Sequence, residues 1–400
     1  MGDAPWPLGL NLVADGDIPT TAIVCQVLSL LAGPAGITSA YGVAFDDAML
    51  AARPTIFSRI SARSLGWVPS FMQKRGGRYA LFLDDNFWEC EVTEELREYY
   101  SDVLTRRTLD EFVRRSAVVI VNSSFLADRL CRRFPEASIE LVPAHFDFSV
   151  LPVHDLPPRD IRMPLRVGYA GTTRGDAFDA VTEAIIALLR DRPGQVEFEF
   201  IGFVPERLRH LPGVAVFPPL PDYAKFLAFK QSRQWDVGLA PLGADPFTQS
   251  KTNNKYREYG AMGIAGIYQG VEPYLGSVEP GIDGLLAGSD PASWYDTIVG
   301  LIDDVGRARR LGSEAHRRVR ERHDVTRVVQ RWTEILDAAD LKPMRAGALS
   351  RIRWRLNGLV SSLQLRMHEY RLVLARQGIK AVFNRGLGSI RRRFGAKPRT

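Results

Sequence analysis

Pro152, Pro157, Pro158 and Pro164 crowd residues 151–164. Proline fixes its own φ, lacks an amide donor and restricts the residue before it, so neither a helix nor a central strand can pass through such a stretch. The chain is thereby divided into two parts, each of which must build its own core. On both sides, short apolar runs alternate with amphipathic stretches of helical period, a pattern that specifies parallel sheets covered by helices. In the first part, residues 8–13, 37–45, 79–83, 117–121 and 139–142 read as strands, and 20–32, 93–115 and 123–134 as helices. In the second, strands are expected at 165–170, 196–202, 214–217, 236–242, 264–268 and 283–287, with helices at 177–190, 223–231, 294–302 and 307–321.

The fold class expected is therefore α/β, with two Rossmann-like domains around a central cleft. The domains span 1–155 and 156–324, and a crossover helix (325–340) and a basic helical tail (341–400) follow them. With 400 residues, 46% hydrophobic and 24% charged, the chain is long enough for two cores. Residues 341–400 hold 15 Lys/Arg against one acid, Glu369, which is +14 there and −8 in the rest of a chain whose total is +6. The basic pI of about 9.2 thus belongs to the tail, and no nucleic-acid partner is expected for the body. Cys25, Cys90 and Cys131 lie far apart without metal-type spacing, which points to a reduced, cytoplasmic compartment. The start has no basic segment of the signal-peptide kind, and the apolar run at 22–33 is too short to span a bilayer.

One stretch, Ser250-Lys251-Thr252-Asn253-Asn254-Lys255-Tyr256-Arg257-Glu258-Tyr259-Gly260-Ala261-Met262-Gly263, follows a strand and a polar loop. A helix beginning near Lys251 or Thr252 would put Lys251, Lys255 and Glu258 on one face at its N-terminus. There the dipole and two ammonium groups suit a diphosphate, and a carboxylate suits ribose hydroxyls. The same spacing also fits a plain surface helix with an internal ion pair. Gly168 to Gly175 follows the first strand of the second part; Gly171, Thr172 and Thr173 allow close backbone approach, and Arg174 offers two donors to a phosphate. Asp84-Asp85-Asn86 at a strand end could accept hydrogen bonds from sugar hydroxyls, ligate a divalent metal or form a turn. His145, near the end of the first part's last strand, would face the cleft, although a lone histidine is more often structural.

The pattern Lys251-x-x-x-Lys255-x-x-Glu258-Tyr259-x-Ala261-x-Gly263 resembles the donor-site helix of GT-B glycosyltransferases, especially family 4 and its capsule and O-antigen relatives. The resemblance covers roughly 165–340 and extends more loosely over the first third. It implies a nucleotide-diphosphate sugar as donor, a glycan or lipid-linked acceptor held mainly by the first domain, retention of configuration, and no metal or other cofactor. Of the family's two glutamates, separated by seven residues, Glu258 matches the second, implied on the ribose, and the first falls at Ser250. Lys251, Lys255 and Arg174 are implied as the cations that meet the leaving diphosphate. Gly171, Thr172, Thr173, Asn254 and Glu272 are implied as donor contacts, and Asp84, Asp85, Asn86 and His145 as acceptor contacts. The opposing reading is a non-catalytic relative that binds nucleotide or glycan as a scaffold.

In the tail, Ile352, Leu356, Leu359, Leu363, Met367, Tyr370 and Leu374 recur at steps of three and four, the stripe of an amphipathic basic helix. An anionic membrane surface is the expected partner, which would place the protein peripherally on the cytoplasmic face. Pairing as a homodimer is the competing reading, since the steps nearly fit a heptad seam. Trp354, Leu365 and Leu372 interrupt the polar side.

Overall fold

Each half of the protein is a sheet of six parallel strands. In the computed structural model, which describes residues 6, 8–153, 163–172 and 175–377, the first half contains β1 (Leu10–Ala14), β2 (Ile37–Tyr41), β3 (Thr55–Ser58), β4 (Ala80–Leu83), β5 (Val118–Val121) and β6 (Ile139–Leu141), in the order β2-β1-β3-β4-β5-β6. The second contains β7 (Leu165–Gly171), β8 (Val196–Gly202), β9 (Val214–Phe217), β10 (Val237–Ala240), β11 (Ala265–Gln269) and β12 (Leu285–Ala287), in the order β12-β11-β10-β7-β8-β9. Both match the expected α/β class. Most of the linker expected at 151–164 lies outside the described residues.

Two differences from the sequence reading have local causes. β3 escaped notice because it is only four residues long and follows Pro54, yet it sits in the middle of the sheet, with Ile56 pairing Leu12 on one side and Ala80 on the other. Buried on both faces, it shows no alternation to read. The single helix expected at 93–115 is two, Glu94–Ser101 and Val103–Arg115. Asp102 divides them: its backbone turns extended, and its Oδ1 accepts from the amides of Leu104 at 3.0 Å and Thr105 at 3.2 Å, so it caps the second helix.

After the second sheet the chain returns to the first. The crossover helix, Val325–Ala338, contributes Val328, Trp332, Ile335 and Leu336 to a core shared with Leu10, Leu12, Val24 and Leu28. The tail helix, Ala348–Gln377, then lies on the first half. Trp354, which interrupts the polar side in sequence, anchors it: its ring packs against Phe45, Trp67 and Phe71 with centroids 5.7, 4.7 and 5.4 Å away. Ser350 Oγ donates to Asp47 at 2.6 Å and Ser361 Oγ to the carbonyl of Ser64 at 2.8 Å. Among the described residues, no helix is long and apolar enough to cross a membrane.

Parallel strands bring all their C-terminal ends to one edge of each sheet, where open α/β folds collect ligand-binding loops. Arg59, Asp84 and Asn122 leave the first sheet at that edge, and Gly171 and Gly270 leave the second.

Candidate active site

The central helix, Asn254–Ala261, starts later than the spacing suggested. A separate turn of helix, Pro246–Gln249, precedes it, capped by Asp245, whose Oδ1 accepts from the Thr248 amide at 2.9 Å. Lys251 and Thr252 therefore stand in the turn between the two, and only Lys255 and Glu258 share the central helix. Ser250, where the resembled family has its first glutamate, is fully buried and turns its hydroxyl to the Pro246 carbonyl at 2.6 Å. The surface-helix reading fails, since Tyr256 through Ala261 are all buried. Gly260 makes that packing possible: a Cβ there would come within 2.5 Å of Val319 on the neighbouring helix, Val305–His323. Gly263, at φ +66°, then turns the chain into β11.

Glu258 is buried and paired on both of its oxygens. Its Oε2 accepts from Lys230 Nζ at 2.5 Å and its Oε1 from the Tyr223 hydroxyl at 3.3 Å. Burial raises the Glu258 pKa, but the charges of Lys230 and Lys255 outweigh burial and bring it down to about 2. Burial lowers the pKa of Lys230, and Glu258 opposes this. The result is a buried carboxylate fixed in its ionised form, an acceptor suited to hydroxyl groups. Lys230 and Tyr223 were not singled out from sequence. Their helix, Tyr223–Ser232, mixes apolar and polar residues around its circumference, so nothing marked its one fully buried lysine.

Lys255 reaches the end of β7. Its Nζ donates to the Ala170 carbonyl and lies over the Tyr169 ring at 5.5 Å. Gly171, the next residue, has φ +152°, and a Cβ there would stand 3.4 Å from Lys255 Nζ and 3.1 Å from the Tyr169 hydroxyl. That hydroxyl holds the carbonyl of Thr172 at 2.6 Å. The structure thus joins the central helix to the first part of the Gly171–Thr172 loop. Thr173 and Arg174 lie outside the described residues.

From the first sheet, Arg59 binds both acids after β4, its Nη1 at 2.7 Å from Asp84 Oδ1 and 3.2 Å from Asp85 Oδ2. Thr20 donates to Asp84 Oδ2 at 2.7 Å. Lys251 crosses from the second half and meets Asp85 Oδ1 at 3.2 Å, so one ion-pair network spans the cleft. Burial, and then the neighbouring Asp85, raise the Asp84 pKa against the pull of Arg59. Arg59 itself has φ +58°, a conformation uncommon for a non-glycine residue and concentrated at functional sites. Its place, immediately after a central parallel strand, is a signal that would have found it had β3 been recognised. Among the described residues, no group of three or more His, Cys, Asp or Glu side chains could hold a metal.

The remaining expected contacts are engaged elsewhere. Asn86 Nδ2 donates to Glu89 at 2.6 Å. His145 is buried, and its Nε2 donates to Gln26 Oε1 at 2.8 Å; burial and then the charge of Arg257 push its pKa down to about 4. Asn254 Oδ1 accepts from Arg257, a fully buried guanidinium that also donates to Asn253, Thr252 and the His145 carbonyl and so ties the central helix to the turn after β6. Glu272, after β11, accepts from the Gly276 amide at 3.3 Å. A cavity of about 590 Å³ opens between the halves, lined in part by Ser123, Ser124, Asn253, Ser277 and Arg327. None of the expected contacts among the described residues lines it.

The fold has solved counterparts. HepE from Anabaena, determined with UDP, matches at a TM-score of 0.58 and 14% identity over 82% of this chain and 100% of that one. Sucrose-phosphate synthase from Thermosynechococcus elongatus matches at 0.58 and 15% over 82% and 98%, and a glycosyltransferase from Rickettsia africae at 0.54 and 10% over 83% and 98%. The fold is GT-B. No protein-family model and no curated protein sequence matches the chain. In the GT-B frame the two sheets are the two Rossmann-like domains, and the Lys251–Asp85 pair marks where their loop edges face each other.

Proposed function

We propose that this GT-B protein is a retaining glycosyltransferase of the family 4 kind, which moves a sugar from a nucleotide diphosphate to a glycan or lipid-linked acceptor in bacterial surface polysaccharide or glycoconjugate synthesis. One observation carries the reading: Glu258 is held ionised and buried beside Lys255, at the end of β7 where the Gly171 loop begins. A carboxylate there accepts from both ribose hydroxyls, and the diphosphate falls toward Lys255, Lys251 and the loop bearing Thr173 and Arg174. As the glycosidic bond breaks, negative charge grows on the leaving diphosphate. Fixed cations in a poorly hydrated cleft stabilise that charge more than the ground state, which lowers the barrier without a metal. In the described state Lys251 is neutralised by Asp85, so donor phosphate competes with Asp85 for it. Once Lys251 leaves it, Asp85 Oδ1 is available to acceptor hydroxyls, beside an Asp84 that Arg59 and Thr20 hold in place. UDP sugars are the first donors to try, because HepE and its sugar complexes were solved with UDP or UDP-glucose.

The scaffold reading keeps one specific support, the buried Ser250 in place of an acid. Calorimetric titration with UDP and UDP-glucose tests the ribose role. Because alanine at position 258 would leave the buried Lys230 ammonium without an acceptor, whereas glutamine keeps an amide oxygen for it, Glu258→Gln is the better variant. It should fold and bind at least tenfold more weakly, the loss of a charge-assisted hydrogen bond. Equal affinity for parent and variant would remove Glu258 from the donor site.

A further inference from the structure

The tail helix docks with the wrong face for a core element. Its contacts with the first domain come from Ser350, Trp354, Ser361 and His368, whose Nε2 stands 2.5 Å from Asp102. At 100° per residue these four positions fall within about 40° of one another on the helix circumference. Ile352, Leu356, Leu359, Val360, Leu363 and Met367 occupy the opposite side and are between 53% and 62% exposed. An apolar side chain that gains nothing from its own domain, repeated six times along about four turns, is a surface made to be covered.

Charge decides what covers it. Arg351, Arg353, Arg355 and Arg366 are exposed around the stripe, and the only acid in residues 341–400 is Glu369. A second copy pairing on this seam would set arginine against arginine with almost no acids to answer them. An anionic lipid surface answers all of them at once and takes the leucines into its headgroup boundary. We propose that the outward face of the tail helix is a membrane-docking surface for anionic lipid, which holds the first domain, and with it Asp84 and Asp85, against the bilayer. The claim is independent of the donor assignment.

Flotation of the full chain with vesicles of equimolar phosphatidylcholine and phosphatidylglycerol, and with vesicles of phosphatidylcholine alone, tests it. The parent should float with the anionic vesicles and stay at the bottom with the neutral ones. The variant Leu356→Gln/Leu359→Gln/Leu363→Gln should melt at the parental temperature, since these side chains face solvent, and lose roughly a hundredfold in vesicle partitioning. Equal flotation of variant and parent, or equal flotation on neutral vesicles, overturns the proposal. So does failure of the parent to float; if the parent then sediments as a dimer that the triple variant converts to monomer, the stripe is a self-association seam instead.

Discussion

Replacing Lys230 by methionine keeps its length and apolar stem and removes only the charge that faces Glu258. In the parent, Glu258 stands at about 2 instead of its ordinary 4.5, against the pull of burial, with Lys230 first among the charges that hold it there. Breaking one side of a buried pair costs roughly 3–5 kcal/mol, or about 6–20 °C in the melting temperature of a domain this size. The stability that Glu258 adds is complete above its unfolded pKa of about 4.5 and disappears as pH falls toward 2, because the native state resists protonation there. Scanning calorimetry from pH 3 to 8 should therefore show parent and Lys230→Met far apart at neutral pH and converging in acid. Adding Glu258→Gln to Lys230→Met should restore most of the loss, since neither charge is then left buried alone. A Lys230→Met protein that melts within about 1 °C of the parent at pH 7 would refute the reasoning, for it would mean that Glu258 does not depend on Lys230.

Lys251→Ala should lower kcat roughly a hundredfold and leave KM within a few-fold, because the charge it meets grows in the transition state; steady-state kinetics showing only a KM change would reduce Lys251 to a ground-state anchor. Acid should weaken the interface between the domains, where His323 Nδ1 from the second half stands 2.7 Å from the Ala144 carbonyl of the first. His145 and His323 both stand near 4, each held down chiefly by burial and then by Arg257, so the unfolded chain binds protons more readily between about pH 6.5 and 4. Stability then falls as pH drops through that window, by up to about 3 kcal/mol for each ring. His323→Gln should flatten the pH dependence of urea unfolding over the same window, and an unchanged slope would contradict the buried, neutral assignment.

Legibility in the sequence followed burial. Strands covered on both faces, such as β5 with Val118, Val119, Ile120 and Val121, announce themselves as apolar runs; β3 did not, because four residues behind a proline give no pattern to count. The motif around Glu258 was legible because its members are close in the chain. The partners of the acids were not: Lys230 acts on Glu258 28 residues away and Arg59 on Asp84 25 residues away, and only the topology brings them together. His145 shows the opposite failure, a residue whose type invited a role that Gln26 and Arg257 have already filled. The tail stripe was read correctly as a stripe, but which side the domain would hold depended on Trp354, whose aromatic partners come from 45, 67 and 71.

Binding alone cannot separate a transferase from a scaffold of the same fold, so turnover is the decisive quantity. Release of nucleoside diphosphate from UDP, GDP, dTDP and ADP sugars, followed in EDTA with and without anionic vesicles, measures it directly. The account predicts release from at least one donor, insensitive to EDTA and reduced at least tenfold in Glu258→Gln. A protein that binds a nucleotide tightly yet releases nothing from any donor, or whose release survives Glu258→Gln unchanged, would contradict it.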